Sequence, residues 1–184
     1  MAAAALREKQ APIKDGYRSN PSSALVTLTS SGSLDATSIT CKLSTGKATI
    51  SGELCSGDML LEALVACAGV TLKAVATALS IPLKSGSVFA EGDLDFRGTL
   101  GVDRDAPVGF QAIRLGFEIE IDGSTEEGKA VDEAKLEKLG RLTERYCVVL
   151  QTIAKKPSLS VSVRGRQESG EDGIDREMVW GQKS

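Results

Sequence analysis

The chain has 184 residues, a net charge of -3 and no histidine at all. That length suits about one domain, with a core that needs no covalent staples, and the weak net charge argues against a nucleic-acid-binding face. The missing histidine excludes Ser-His and Cys-His catalysis and every histidine-containing zinc site.

Residues 4–10 predict a short helix closed by Pro12, and the KDGYRSNP run over 14–21 reads as turn material. Residues 1–23 thus form an N-terminal arm, whose Arg7, Lys9, Lys14 and Arg18 could pair across a dimer interface. The MAAAALREKQ start has no apolar run resembling an export signal, which gives the expectation of a cytoplasmic protein. Segments 24–28 and 34–43 are rich in Val, Ile and Thr and predict two strands, joined by a hairpin connection at Ser30–Ser33. Cys41 reads as a small buried hydrophobe in the second of them. Gly46 turns the chain into a third short strand over 47–50, and the loop over 51–57 holds Cys55.

The run SGDMLLEALVACAGVTLKAVATAL, Ser56 to Leu79, predicts one long helix with Cys67 at its centre. Ser56 or Asp58 caps its start, and Pro82 stops it. Beyond the first turn its polar residues are only Glu62, Thr71, Lys73 and Thr77. It is apolar enough to resemble a membrane span, but Asp58, Glu62 and Lys73 would each be costly in lipid, so no membrane is implied. A helix this apolar calls for a sheet on one side and another chain on the other.

After Pro82 the period changes from helix to strand. A strand is expected over 87–100, broken near Gly92. Ile113, Leu115, Phe117, Ile119 and Ile121 alternate with polar or small residues, which predicts a second strand over 111–121 with one wet face. The two should pair as an antiparallel hairpin. Ser124 or Thr125 opens helical territory, and Leu136, Leu139 and Leu142 mark a helix over 132–145. A further helix, kinked against it, covers 144–154 and carries Cys147 in mid-run. Pro157 ends it, 158–164 is a last strand, and the charged residues 166–184 are expected as a loose tail. The order of elements makes an α+β fold, with a single domain over 1–165.

Four cysteines in a chain of this size do not form a disulfide scaffold. Their spacings of 14, 12 and 80 residues lack the close pairs of a structural zinc site. Cys67 and Cys147 lie in two predicted helices. If those helices pack together, the thiols come within disulfide range and suit a redox cycle through a sulfenic acid. Otherwise they are inert core residues, and the residues alone leave both readings open. Cys67 lies about nine residues, roughly 13 Å, inside its own helix, where that helix's dipole no longer helps. A thiolate there is therefore expected to need a cation, from Lys47, Arg18 or Arg145.

Two stretches, SGDMLLEALVACAGVTL and LTERYCVVLQTIAKKPSLSVSV, resemble the OsmC/Ohr family of osmotically inducible and organic hydroperoxide resistance proteins. The resemblance extends from about Leu25 to Val163. It implies an OsmC-like fold, with antiparallel sheets packed around the long cysteine-bearing helix in an intertwined homodimer. It implies Cys67 as the peroxidatic and Cys147 as the resolving residue. It implies reduction of organic hydroperoxides under oxidative stress, with a small-molecule or protein dithiol as reductant and no cofactor. Three positions depart from the family pattern. Asp58 stands near the family's entrance acid, Lys47 falls near its catalytic arginine with Arg18 in reserve, and Val148 replaces its proline after the second cysteine. Leu60, Leu64 and Val70 are the expected lining of an apolar substrate pocket. The competing reading is a dimer on the same scaffold that binds a small apolar or lipid-like ligand without turnover.

Overall fold

The computed structural model describes residues 3–34, 41–44, 56–167 and 174–181. They fall into two units, Met1–Leu150 and Gln151–Ser184. The first is built on a four-stranded antiparallel sheet in the order β2-β1-β3-β4, with β1 at Leu25–Leu34, β2 at Cys41–Ser44, β3 at Leu83–Asp95 and β4 at Phe110–Ile121.

Helix α2, Ser56–Ala78, lies against β1, β2 and β3. Its buried residues Leu61, Leu64, Val65, Ala68, Leu72, Val75 and Ala76 recur every three or four positions, which gathers them on one face. Opposite them stand Leu28 and Leu34 of β1 and Val88, Ala90 and Leu94 of β3, all buried. Each fully buried Leu or Val contributes about 1.5–3 kcal/mol by leaving water. By length and composition α2 could cross a membrane, yet this face is core. The helix ends in a Schellman turn, in which the Ile81 N–H donates to the Ala76 carbonyl at 2.9 Å and Ser80 takes a left-handed φ of 53°.

The β3–β4 pairing follows the alternation of β4 as expected, with Val88 opposite Phe117 and Ala90 opposite Leu115. Phe110 lies over Gly92, so close that a Cβ there would run into its ring. Gly92 therefore does not break β3; it makes room for an aromatic ring from the next strand. The strand stops at Asp95, whose carboxylate accepts from the Arg97 N–H and caps a short helix α3, Phe96–Thr99.

Several expectations are corrected. No hairpin occurs at Ser30–Ser33, because β1 runs through them as one ten-residue strand paired with β3 from Leu25 to Ser33. Ser30 and Gly32 face inward there, and the absent side chain of Gly32 leaves space for Cys41 and Val65. Helix α1, Ala3–Ser19, continues through Pro12 and through the supposed turn. Proline costs one backbone hydrogen bond, and the buried Tyr17 anchors the turn that follows it. The expected strand over 47–50 and the loop with Cys55 lie outside the described residues.

Thr125 caps the short helix α4, Glu126–Lys129, and Asp132 caps α5, Glu133–Tyr146, by accepting from the Lys135 N–H at 2.8 Å. Helix α5 packs on α2 through a face that includes the buried Leu139 and Thr143. A last helix, α6, covers Val148–Lys155. In the second unit, residues expected as a loose tail contain a strand: β6, Ile174–Gly181, pairs antiparallel with β5, Ser160–Gln167.

Candidate active site

Cys147 does not sit within a helix. It is the residue between α5 and α6, with extended backbone angles of φ -70° and ψ 108°, and its N–H donates back to the Thr143 carbonyl at 3.0 Å. The chain therefore turns at Cys147, and α6 begins with the next residue. The first N–H groups of a new helix have no partners within it. Here those of Val148 and Val149 act on the Cys67 thiol, and those of Val149 and Leu150 on the Cys147 thiol.

Cys67 is half-buried on the side of α2 away from its core stripe, and Cys147 is fully buried. Both are free thiols, and they hydrogen-bond to each other. The two sulfurs, separated by eighty positions, are thus neighbours in one chain. Burial pushes the Cys67 thiol up. Against this act the Val149 N–H, the Cys147 side chain, the Val148 N–H and the Thr71 hydroxyl, and together they hold it below its ordinary value. Cys147 moves the opposite way. Burial raises it; the Leu150 N–H resists; the hydrogen bond and charge of Cys67 raise it further; the Val149 N–H again resists. The pair is polarised: Cys67 is the more readily ionised thiol and Cys147 the less readily ionised one.

The donors were not expected from the sequence. A cation was anticipated beside Cys67, but no described lysine or arginine is among the groups that lower its thiol. Arg18 is paired with Asp15 at 2.7 Å on exposed α1, and Arg145 lies 5.7 Å from the centre of the Tyr146 ring. Lys47 lies outside the described residues. The dipole of α2 fades before Cys67, whereas the N–H groups come from the start of α6. Thr71 was also missed, although its place one turn after Cys67 is visible in the sequence. Its hydroxyl donates to the Cys67 carbonyl at 2.8 Å and also reaches the thiol.

The remaining expected residues are dispersed. Asp58 is buried in the first turn of α2. Leu60 and Val70 are exposed on the Cys67 side of the helix, while Leu64 is enclosed in the core. Cys41 packs behind α2, where a Cβ on Gly69 would come within 2.8 Å of its sulfur, and burial raises its thiol. A separate cavity of about 320 Å³, lined among others by Lys73, Ile81, Pro82 and Glu127, contains neither Cys67 nor Cys147. No cluster of three or more metal-ligating side chains occurs among the described residues.

A family model described as "OsmC-like protein" matches residues 46–162. No curated protein matches the chain. An OsmC-like hydroperoxide resistance protein from Jannaschia sp. CCS1 has a similar fold, with a TM-score of 0.53 at 14% identity, over 83% of this chain and 99% of that one. The family match spans well over half of the sequence, including both cysteines of the polarised pair, and this chain belongs to the OsmC-like family.

Proposed function

We propose that the protein is a thiol-dependent peroxidase that reduces organic hydroperoxides to alcohols, with Cys67 as the peroxidatic and Cys147 as the resolving thiol. One observation carries the reading: two free cysteines in hydrogen-bond contact, one thiol lowered and the other raised. The Jannaschia protein of similar fold is described as a hydroperoxide resistance protein, which points the same way.

The Cys67 thiolate attacks the distal oxygen of the hydroperoxide. An S–O bond forms, the O–O bond breaks, and the alkoxide leaves as the alcohol after taking a proton. Cys147 then attacks the sulfenic sulfur. An S–S bond forms, and the sulfenic oxygen departs as water with the Cys147 proton. An external dithiol returns two electrons by thiol–disulfide exchange, so the cycle uses no resident cofactor. The exposed Leu60 and Val70 flank Cys67 at helical spacing and give an alkyl chain an apolar approach, with Leu64 behind them. The reading places the protein in the cytoplasmic response to oxidative stress, working as a homodimer.

The test is intact mass after one equivalent of cumene hydroperoxide, together with peroxide consumption in the presence of dithiothreitol. The reduced chain should lose about two mass units as a Cys67–Cys147 disulfide closes. Cys67→Ser should consume no peroxide above background, and Cys147→Ser should stop at a sulfenic acid. Equal consumption by wild type and Cys67→Ser would end the peroxidase reading and leave the ligand-binding alternative.

A further inference from the structure

We propose that the cavity at the end of α2 is a binding site for a small amphipathic carboxylate. The Lys73 ammonium and the Ser80 hydroxyl hold the carboxylate, and Ile81, Pro82 and Leu83 take the apolar body. The site is separate from the thiol pair, because neither Cys67 nor Cys147 lines it. It stands whether or not the cysteines turn over peroxide.

The cavity arises where α2 gives way to β3. The Schellman turn carries the chain back under the last turn of the helix, and Leu83 then opens β3 opposite Ile121. Ala76, Ile81, Pro82 and Leu83 form the apolar part of the lining. Other elements tie this lining down. The Asp122 N–H donates to the Pro82 carbonyl at 2.8 Å, and Lys135 of α5 donates to the Ser80 carbonyl at 3.3 Å. Beyond Asp122 the chain doubles back so tightly that a side chain on Gly128 would run into the Asp122 carbonyl. The cavity is thus shaped before any ligand arrives, which spares binding the cost of ordering it.

The polar groups of the lining divide into spent and free. The Thr77 hydroxyl donates to the Lys73 carbonyl at 2.9 Å. The Thr125 hydroxyl donates to the Asp122 carbonyl at 3.1 Å and accepts from the Gly128 N–H at 3.0 Å. The Ser80 hydroxyl makes no hydrogen bond among the described residues, and Lys73 and Glu127 line the cavity together without pairing with each other. Ser80 also holds a left-handed φ of 53°, where glycine is the usual residue. Serine there forgoes conformational ease and brings a hydroxyl to the lining.

Charge and size select the ligand. Lys73 is half-buried and Glu127 is exposed. A charge partly withdrawn from water beside apolar walls acts more strongly than one in bulk solvent, so the cation decides. A carboxylate accepts from both free donors, and an ammonium group cannot accept from either. The volume of about 320 Å³ equals about ten waters at roughly 30 Å³ each. That suits a monocarboxylate with about ten non-hydrogen atoms, and octanoate is the probe.

The experiment is calorimetric titration of the reduced full chain with octanoate, octanol and octylamine, with the site located by amide chemical shifts in NMR spectra. Octanoate should bind with a dissociation constant of about 1 mM or below, octanol about tenfold more weakly, and octylamine more weakly still. Lys73→Met should weaken octanoate about tenfold and leave octanol unchanged. Ser80→Gly should weaken octanoate about fivefold without lowering the melting temperature, since glycine suits the left-handed turn. Cys67→Ser should bind octanoate as the wild type does. The shifts should centre on Ser80, Ile81, Leu83 and Glu127.

Absence of octanoate binding at about 10 mM, tighter binding of octylamine than of octanoate, or an octanoate affinity unmoved in Lys73→Met would each overturn the proposal. So would shifts centred on Leu60 and Val70, which would put the carboxylate beside the thiols instead. Where Lys73→Met loses the fold, the wild type decides: octanol bound as tightly as octanoate would rule out a carboxylate site. None of these readouts involves peroxide, so failure of the peroxidase reading leaves them untouched.

Discussion

Gly69, two residues beyond Cys67, sets how closely α2 approaches β2. A Cβ there would lie 2.8 Å from the Cys41 sulfur, 2.9 Å from its Cβ and 3.2 Å from Leu34. Two effects oppose each other in Gly69→Ala. Helix propensity favours alanine by about 1 kcal/mol, while overpacking costs about 1–3 kcal/mol. The obstructing Cβ of Cys41 is fixed to its backbone and cannot swing aside, so overpacking wins. Gly69→Ala should lower stability by about 1–2 kcal/mol in urea titration. The double variant with Cys41→Ala should recover part of that loss. Little of this was legible in advance. A glycine in a helix lowers confidence in the helix, and nothing local says that a cysteine from a strand lies behind it.

At the scale of elements, legibility tracked whether the deciding interaction was local. The alternation from Ile113 to Ile121 fixed β4 and its pairing, because a two-residue period admits few other readings. The cap residues Thr125 and Asp132 stand where side-chain chemistry put them. The joint at Cys147 has no proline or glycine to announce it, only two consecutive β-branched valines, so the sequence pattern reads as the middle of a helix. That misreading also hid the donors, since main-chain N–H groups become available only where a helix starts. The ionic ladder on the outer face of the sheet is likewise a product of register. Glu91 pairs across from Arg114, which also grips Asp93 at 2.6 Å, and Thr27 donates to Asp93 at 2.7 Å. The Arg114 and Thr27 hydrogen bonds hold the Asp93 carboxyl down at about 2, against an ordinary 3.8. A carboxylate lowered on folding supports the fold above its unfolded value, and that support drains away as pH falls through the folded one. The melting temperature should therefore decline between about pH 4 and pH 2, and Arg114→Met should flatten the Asp93 share of that decline.

For the whole molecule, the open question of assembly turns on where apolar surface remains. On the Cys67 side of α2, Met59, Leu60 and Val70 are 57, 39 and 40% exposed. The inward-alternating residues of β4, among them Leu115, Phe117 and Ile119, are only half-buried. In the hairpin of the second unit, Val161 and Val163 stand opposite Trp180 and Met178, and all four are exposed. A lone two-stranded hairpin is marginal in water, and exposed apolar residues on each unit leave surface for association. A homodimer in solution is the expected outcome, with light scattering giving twice the 19.3 kDa chain mass. Met59→Glu and Val70→Glu should shift the population toward monomer without loss of helical circular dichroism, because neither side chain belongs to the core stripe of α2. The redox pair behaves differently from the assembly. Cys67 and Cys147 hydrogen-bond within one chain, so oxidation should close an intramolecular disulfide whatever the oligomeric state. Denaturing electrophoresis without reductant, after peroxide treatment, should show a band at single-chain mass in wild type and in Met59→Glu. A disulfide-linked dimer as the main product would mean that the resolving sulfur comes from the second chain.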